Sequence, residues 1–394
     1  MKNIILFISL FMLALPQISC NSTNDAEQLP PPPIEKPTDE GDGTTKPNGN
    51  IPPTLADSSY NYYNRAFLIK DGPWKFYREK LSSNKYAYFW NQALIILMVE
   101  DRYEFRKEES LKPLITDLLD TFREHEKNSA TKEIWDWTWN EYNDDLLWAG
   151  LAFIRGYQIT GEKRFLEQAE WDWNFLYTRG FSDELGGGIW WDVRKESKSS
   201  LSNHPAISMA CYLYEATQKQ SYLDQAKSLY DWVCTGHNGN SIFNSTTGAV
   251  DEKMNPDGSM SKSYNVYTSG AFIEAANSLH QITKEQRYYN DAIKAIDYVI
   301  NNKTTNGIMS KWHLDGSWQS EFARGMGMFV KDNNLWDKYY NWMHQNAEAS
   351  WKTRYQKKNI TGNEWVKESP ERDWTALECV SAVVMTQVVP DKKP

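Results

Sequence analysis

Apolar side chains along the chain fall into paired helical stretches separated by short polar turns. Leu147–Tyr157, Ala206–Tyr214 and Ala271–Leu279 are apolar nearly all round, and each is followed by the same punctuation. Thr160-Gly161-Glu162-Lys163-Arg164-Phe165-Leu166-Glu167-Gln168-Ala169 recurs as Thr217 through Tyr222-Leu223 to Ala226, and again as Thr283 through Tyr288-Tyr289 to Ala292. Threonine, aromatic and alanine keep offsets of five and nine residues in all three copies. A second apolar stretch then opens, with Trp173, Tyr230 and Ile296 four residues after the alanine, a spacing that puts both side chains on one helix face. The unit is therefore a helix, a short turn and another helix. Copies lie 57 and 66 residues apart, so residues 57–394 have room for between five and six units. Strand signals are weak throughout, and the expected class is all-α. An open solenoid and a closed ring both satisfy such a repeat. Leu146, Leu147, Trp148, Ala149, Leu151, Ala152, Phe153 and Ile154 surround their helix with apolar groups, which favours an inner helix of a closed ring.

The first 56 residues break the pattern. Lys2 precedes an apolar run from Ile4 to Leu15, and Ile18-Ser19-Cys20 follows. The run is too short to span a bilayer and resembles a bacterial lipoprotein signal over residues 1–20, with Cys20 as the lipidated residue; an ordinary secretory signal is the alternative. Either places the protein outside the cytoplasm, and lipid on Cys20 would hold it in the cell envelope, at the outer membrane surface or in the periplasm. Residues 21–56 hold eight of the sixteen prolines, including Pro30 to Pro33, and no aromatic residue. Such a stretch cannot bury a core and reads as a disordered spacer. Beyond it no apolar run exceeds Ala93–Val99.

Net charge is −9 with no basic block, which argues against nucleic acid or an anionic membrane surface as the main partner. Cys211, Cys234 and Cys379 cannot form a disulfide framework and read as buried free thiols. The six histidines are scattered, without the spacing of a zinc site. No Gly-x-Ser-x-Gly elbow occurs. Asn255-Pro256-Asp257-Gly258 is a turn that lacks the downstream glutamate of a calcium loop. No metal or organic cofactor is expected.

Two constellations carry chemistry. Eight of eighteen tryptophans lie between Trp135 and Trp191, a density suited to stacking on sugar rings. Core filling is the plainer reading for Trp148, Trp171 and Trp173, which sit at helical positions. Within this window Asn143-Asp144-Asp145 meets the first inner helix. One aspartate could simply cap that helix. Glycoside cleavage, however, needs two carboxyls flanking one bond, and the start of a helix favours an ionised nucleophile through the macrodipole. The second carboxyl, beside the first charge, would be raised and hold a proton. The other constellation is Phe181-Ser182-Asp183-Glu184-Leu185-Gly186-Gly187-Gly188-Ile189-Trp190-Trp191-Asp192, a glycine loop that presents two indoles. No Gly-Lys-Ser/Thr follows, so it is not a phosphate cradle.

With these residues the sequence resembles glycoside hydrolase family 76, the bacterial and fungal α-1,6-mannanases, over most of residues 60–385. The likeness is sharpest at Asn143-Asp144-Asp145 through Ala149-Gly150-Leu151-Ala152, at the Thr160-Gly161 turn, and at Gly186-Gly187-Gly188-Ile189-Trp190-Trp191-Asp192. It implies an (α/α)6 barrel over residues 57–394 and endo-hydrolysis of α-1,6-mannan with retention, Asp144 as nucleophile and Asp145 as acid/base. It also implies substrate-binding roles for Asn143, Trp190, Trp191, Asp192, Asn203, Tyr267 and Arg324. Asn203 lies in Asn203-His204-Pro205-Ala206, which resembles an Asn-x-Pro-Ala stretch, and Arg324 lies in Phe322–Met328. Val266-Tyr267-Thr268-Ser269-Gly270 departs from the family's Thr-Tyr-Asn-Gln-Gly. It keeps tyrosine and glycine and loses both amides, which bears on the subsite those amides would line.

The implied partner is α-mannan polysaccharide or oligosaccharide, bound by a monomer. Two rivals remain: a lipoprotein that binds mannan without cutting it, and a transglycosidase that uses the same aspartates. Release of oligosaccharides from unbranched α-1,6-mannan separates enzyme from binder, and elongated products on added acceptor sugars would mark the transglycosidase.

Overall fold

The computed structural model describes residues 54–263, 265–309 and 318–394. The expected signal, Cys20 and residues 21–53 of the expected spacer lie outside them. The first helix begins earlier than the spacer's expected end at residue 56. Thr54 caps it by accepting from the Asp57 N–H at 3.1 Å, while the Asp57 carboxylate accepts from the Thr54 N–H at 3.2 Å.

Among the described residues there are twelve α-helices. They are α1 (Leu55–Phe67), α2 (Phe89–Arg106), α3 (Leu111–His125), α4 (Asn143–Thr160), α5 (Lys163–Gly180), α6 (Ser200–Thr217), α7 (Gln220–Thr235), α8 (Tyr267–Thr283), α9 (Gln286–Asn302), α10 (Trp318–Asp332), α11 (Trp336–Lys352) and α12 (Ala376–Val388). The even-numbered helices form the inner wall. Each packs on the next, and α12 packs back on α2. The ring is therefore closed, an α/α barrel of six inner and six outer helices, as the all-round apolar stretches led one to expect. Leu146, Leu147, Phe153 and Ile154 are all fully buried in α4, and each such side chain contributes about 1.5–3 kcal/mol. Packing is tightest between α8 and α10, where a Cβ on Gly270 would meet the Phe322 amide nitrogen at 2.2 Å.

The threonine of the repeat has a mechanical role. Thr160, Thr217 and Thr283 each end an inner helix, and their hydroxyls donate to the carbonyl four residues back at 2.7, 2.7 and 2.8 Å. The same hydroxyls accept from the N–H two residues on, in Glu162, Lys219 and Glu285. One side chain thus satisfies a last-turn carbonyl and an amide of the turn. Gly161, Gln218 and Lys284 then take the left-handed conformation that reverses the chain. The repeat's aromatics and alanines, Phe165, Tyr222 and Tyr288 with Ala169, Ala226 and Ala292, are buried between the layers.

The reading of strands as weak fails between α1 and α2. There β1 (Leu68–Asp71), β2 (Trp74–Lys80) and β3 (Ser83–Tyr86) form an antiparallel sheet. Two-residue strands β4 (Lys198–Ser199), β5 (Lys253–Met254) and β6 (Met260–Ser261) tie the start of α6 to the loop before α8. Cys211 and Cys379 are buried and Cys234 is half-buried; all three are free thiols.

Candidate active site

All six inner helices run in the same sense, so their N-termini share one mouth. Asp144 and Asp145 stand in the first turn of α4 there. Neither caps the helix, because Tyr142 is the cap residue and has no side-chain bond to the helix backbone. The loop after α5 is pinned to that turn. The Asn143 N–H donates to the Trp191 carbonyl at 2.8 Å, and Tyr142 pairs with Asp192. Within the loop Phe181 pairs with Ile189 and the Trp190 N–H donates to Gly180. Gly188, at φ +86°, lies against Trp232, where a Cβ would come within 2.7 Å of the ring. Lys198 is buried under the loop, its ammonium donating to the carbonyls of Ser182, Glu184 and Gly187. Burial lowers its pKa to about 8.

The two carboxyls differ in surroundings. Asp145 is buried, and its Oδ2 accepts from Asn140 Nδ2 at 3.0 Å. Burial and the neighbouring Asp144 charge hold its pKa well above the carboxylate range, against that hydrogen bond. Asp144 is partly open and accepts from the Trp191 side chain and from the Asp145 N–H at 3.1 Å. Burial still pushes it up to about 7, and Asp192 adds to the rise. The expectation that the helix terminus would keep Asp144 ionised is thus corrected: desolvation outweighs a macrodipole effect of typically 0.3–1 kcal/mol.

Other groups expected to touch substrate are occupied by the protein itself. Asn143 is buried, donating to the Trp190 carbonyl at 2.7 Å and accepting from Arg179. Asn203 is buried and accepts from the Ile189 N–H at 2.8 Å while donating to the carbonyls of Ile189 and Ser199. Asp192 accepts from Arg194 at 2.7 Å and from the Glu196 N–H. These three hold the loop in place. Trp190 is 3% exposed and cannot offer an open face; Lys198 sits over its ring at 4.9 Å. Trp191, the next residue, points the other way and reaches Asp144. Tyr267 heads α8, donates to Glu252 and lies close enough to Asp144 to feel its charge. Arg324 offers no exposed surface. It is buried with Asp101 at 2.8 Å, and Asp101 also holds Arg155 at 2.9 Å.

Two further aromatics stand at the mouth: Tyr88, which carried no sequence motif, and Trp139, from the tryptophan-rich window. Tyr88, immediately before α2, is 50% exposed, and its hydroxyl feels both Asp145 and Asp144. Trp139 is 41% exposed, anchored by its N–H to the Glu126 carbonyl and edge-on to Phe89. Among the described residues no group of three His, Cys, Asp or Glu side chains gathers to hold a metal.

The sequence model of Glycosyl hydrolase family 76 matches residues 53–394. The chain belongs to this family. Its structure is similar to that of the family 76 α-1,6-mannanase from Salegentibacter sp. HEL1_6, with TM-score 0.74 and 26% identity, covering 85% of this chain and 97% of that one. An inactive variant of the same enzyme, with two successive aspartates replaced by asparagine and α-1,6-mannotriose bound, matches with TM-score 0.74 and 25% identity over the same shares. Among curated proteins, mannan endo-1,6-alpha-mannosidase DCW1 of Saccharomyces cerevisiae is 26% identical over 36% of this chain and 34% of its own. Its Candida albicans counterpart is 23% identical over 53% of this chain and 48% of its own. The family 76 chain spans about half the length of such curated relatives, or less.

Proposed function

We propose that the protein is an endo-acting α-1,6-mannosidase that cleaves the mannan backbone with retention. One observation carries this reading: two successive carboxyls at the mouth of the barrel, both raised by burial, with Asp144 partly open and Asp145 buried against Asn140. In the first step an Asp144 oxygen attacks the anomeric carbon and the glycosidic C–O bond breaks. The Asp145 proton passes to the leaving oxygen, giving a glycosyl ester on Asp144. Asp145, now ionised, takes a proton from water, whose oxygen displaces Asp144 from the sugar. Trp191 steadies Asp144, Tyr267 stands nearby held by Glu252, and the open faces of Tyr88 and Trp139 are suited to the adjoining sugars. No metal or organic cofactor takes part. On the same reading the enzyme acts as a monomer, exported and held in the cell envelope by lipid on Cys20.

The mannanase named above that loses activity on replacement of two successive aspartates supports the assignment of the pair. Asp144→Asn should abolish turnover of unbranched α-1,6-mannan with folding intact. Parent-like turnover by that variant overturns the role of Asp144. Proton NMR of the first sugar released should show the α-anomer, and a β-anomer would overturn retention.

A further inference from the structure

The outer surface of α5 departs from what an outer helix needs. Its buried face is built by Phe165, Gln168, Ala169, Asp172, Trp173 and Leu176. Trp171, read from sequence as a helical core position, and its neighbour Phe175 fall off that face and are only partly buried. Their rings lie stacked, centroids 5.3 Å apart and planes 16° from parallel. Trp135 joins from the loop before α4, edge-on to Trp171 at 5.4 Å and 40% exposed. Its N–H donates to Glu133 at 3.0 Å, which fixes the indole. Trp171 and Phe175, with exposed Asn174 and Thr178 and with Arg179, line a hollow of about 380 Å³ beside Trp135.

Two stacked rings rimmed by an amide and a hydroxyl, with the exposed Trp135 indole beside them, suit the C–H face and hydroxyl edge of a neutral pyranose. The one cation lining the hollow is committed elsewhere. Arg179 stacks on Phe175 at 4.6 Å and donates to the Asn140 carbonyl and to Asn143 Oδ1. The same Asn140 holds Asp145 through its side chain, so the wall of the hollow is tied by hydrogen bonds to the aspartate pair. Between the two, Trp137 is buried while Trp135 and Trp139 on either side are exposed, so open indoles run from the mouth toward α5. We propose that Trp135, Trp171 and Phe175 form a second glycan-binding site, which holds a mannan chain away from the bond being cleaved. This rests on the substrate class proposed above.

Such a site adds to avidity for long chains and leaves short ones unaffected. The test compares full-length Asp144→Asn with Asp144→Asn combined with Trp171→Ala, and separately with Phe175→Ala, for binding to unbranched α-1,6-mannan and to α-1,6-mannotetraose. Thermal midpoints of each variant establish that it is folded. The shelf variants should bind the polymer at least about fivefold more weakly and the tetrasaccharide equally well. Equal polymer affinity in all three overturns the second site. Equal losses on polymer and tetrasaccharide overturn it too, since the rings would then belong to the cleft. A parent Asp144→Asn protein that binds neither sugar refutes the substrate class instead.

Discussion

Asp144→Asn should make the protein more stable while removing its activity, and the gain should depend on pH. In the folded chain burial raises Asp144 from 3.8 to about 7. The folded state therefore holds this proton more tightly than the unfolded state does. The associated stability is fully present below pH 3.8 and is lost as pH rises through about 7. About three pKa units at roughly 1.4 kcal/mol each bound the loss at about 4 kcal/mol. Water reaching the partly open carboxyl reduces it to something on the order of 2 kcal/mol. Asparagine avoids the loss, since its oxygen can still accept from Trp191 and from the residue 145 N–H. At roughly 2 °C per kcal/mol for a domain of this size, the apparent Tm should rise by several degrees at pH 8 and by almost nothing at pH 3.5. Circular dichroism melts of parent and variant at both pH values measure it. A Tm advantage equal at both, or absent at pH 8, would refute the argument that burial makes this carboxylate costly.

Three further outcomes follow from the same geometry. The kcat/KM of the parent on mannan should rise as pH passes about 7 and fall once Asp145 ionises; Trp191→Phe, which removes a donor to Asp144, should move the rising limb to higher pH. Asn203→Ala leaves the Ile189 N–H buried and unpaired and should cost about 1–3 kcal/mol in urea unfolding, with reduced turnover as the loop loosens. Arg324→Met removes one of two guanidiniums on buried Asp101 and should cost about 3–5 kcal/mol, with KM for mannan unchanged in whatever folded enzyme remains.

The barrel was legible because its signal is local and repeated. The threonine turns need only residues four back and two on, and the inner helices are apolar whatever their neighbours. The aspartate pair was legible as adjacent carboxyls, yet its ionisation was not, because desolvation depends on which loops cover the mouth. Trp190 and Trp191 look equivalent in sequence. In an extended segment successive side chains point opposite ways, so only one of two neighbours reaches the mouth. Asn143, Asp192 and Asn203 were expected to bind substrate, and their bonds to the loop were not legible, since their side-chain bonds span up to 47 residues of chain. Tyr88 and Lys198 carried no motif. The sheet of β1–β3 was signalled by Asp71-Gly72-Pro73, a turn flanked by alternating side chains that the helical repeat overshadowed.

The closure of α12 between α10 and α2 bears on how the chain reaches its native state. An open solenoid can grow one repeat at a time, each resting on the last. Here the first and last helices are neighbours: Tyr63 donates to the Ala376 carbonyl across 313 residues, and Arg102 bonds Gln387 across 285. In a chain that folds from its N-terminus, the edges of α2 and α10 lack a neighbour until α12 docks, and closing the ring is then a keystone step that brings distant parts of the polypeptide together. Joining the termini and opening the chain at the Thr217 turn instead would relocate that keystone to α6 or α8 and leave the finished ring unchanged.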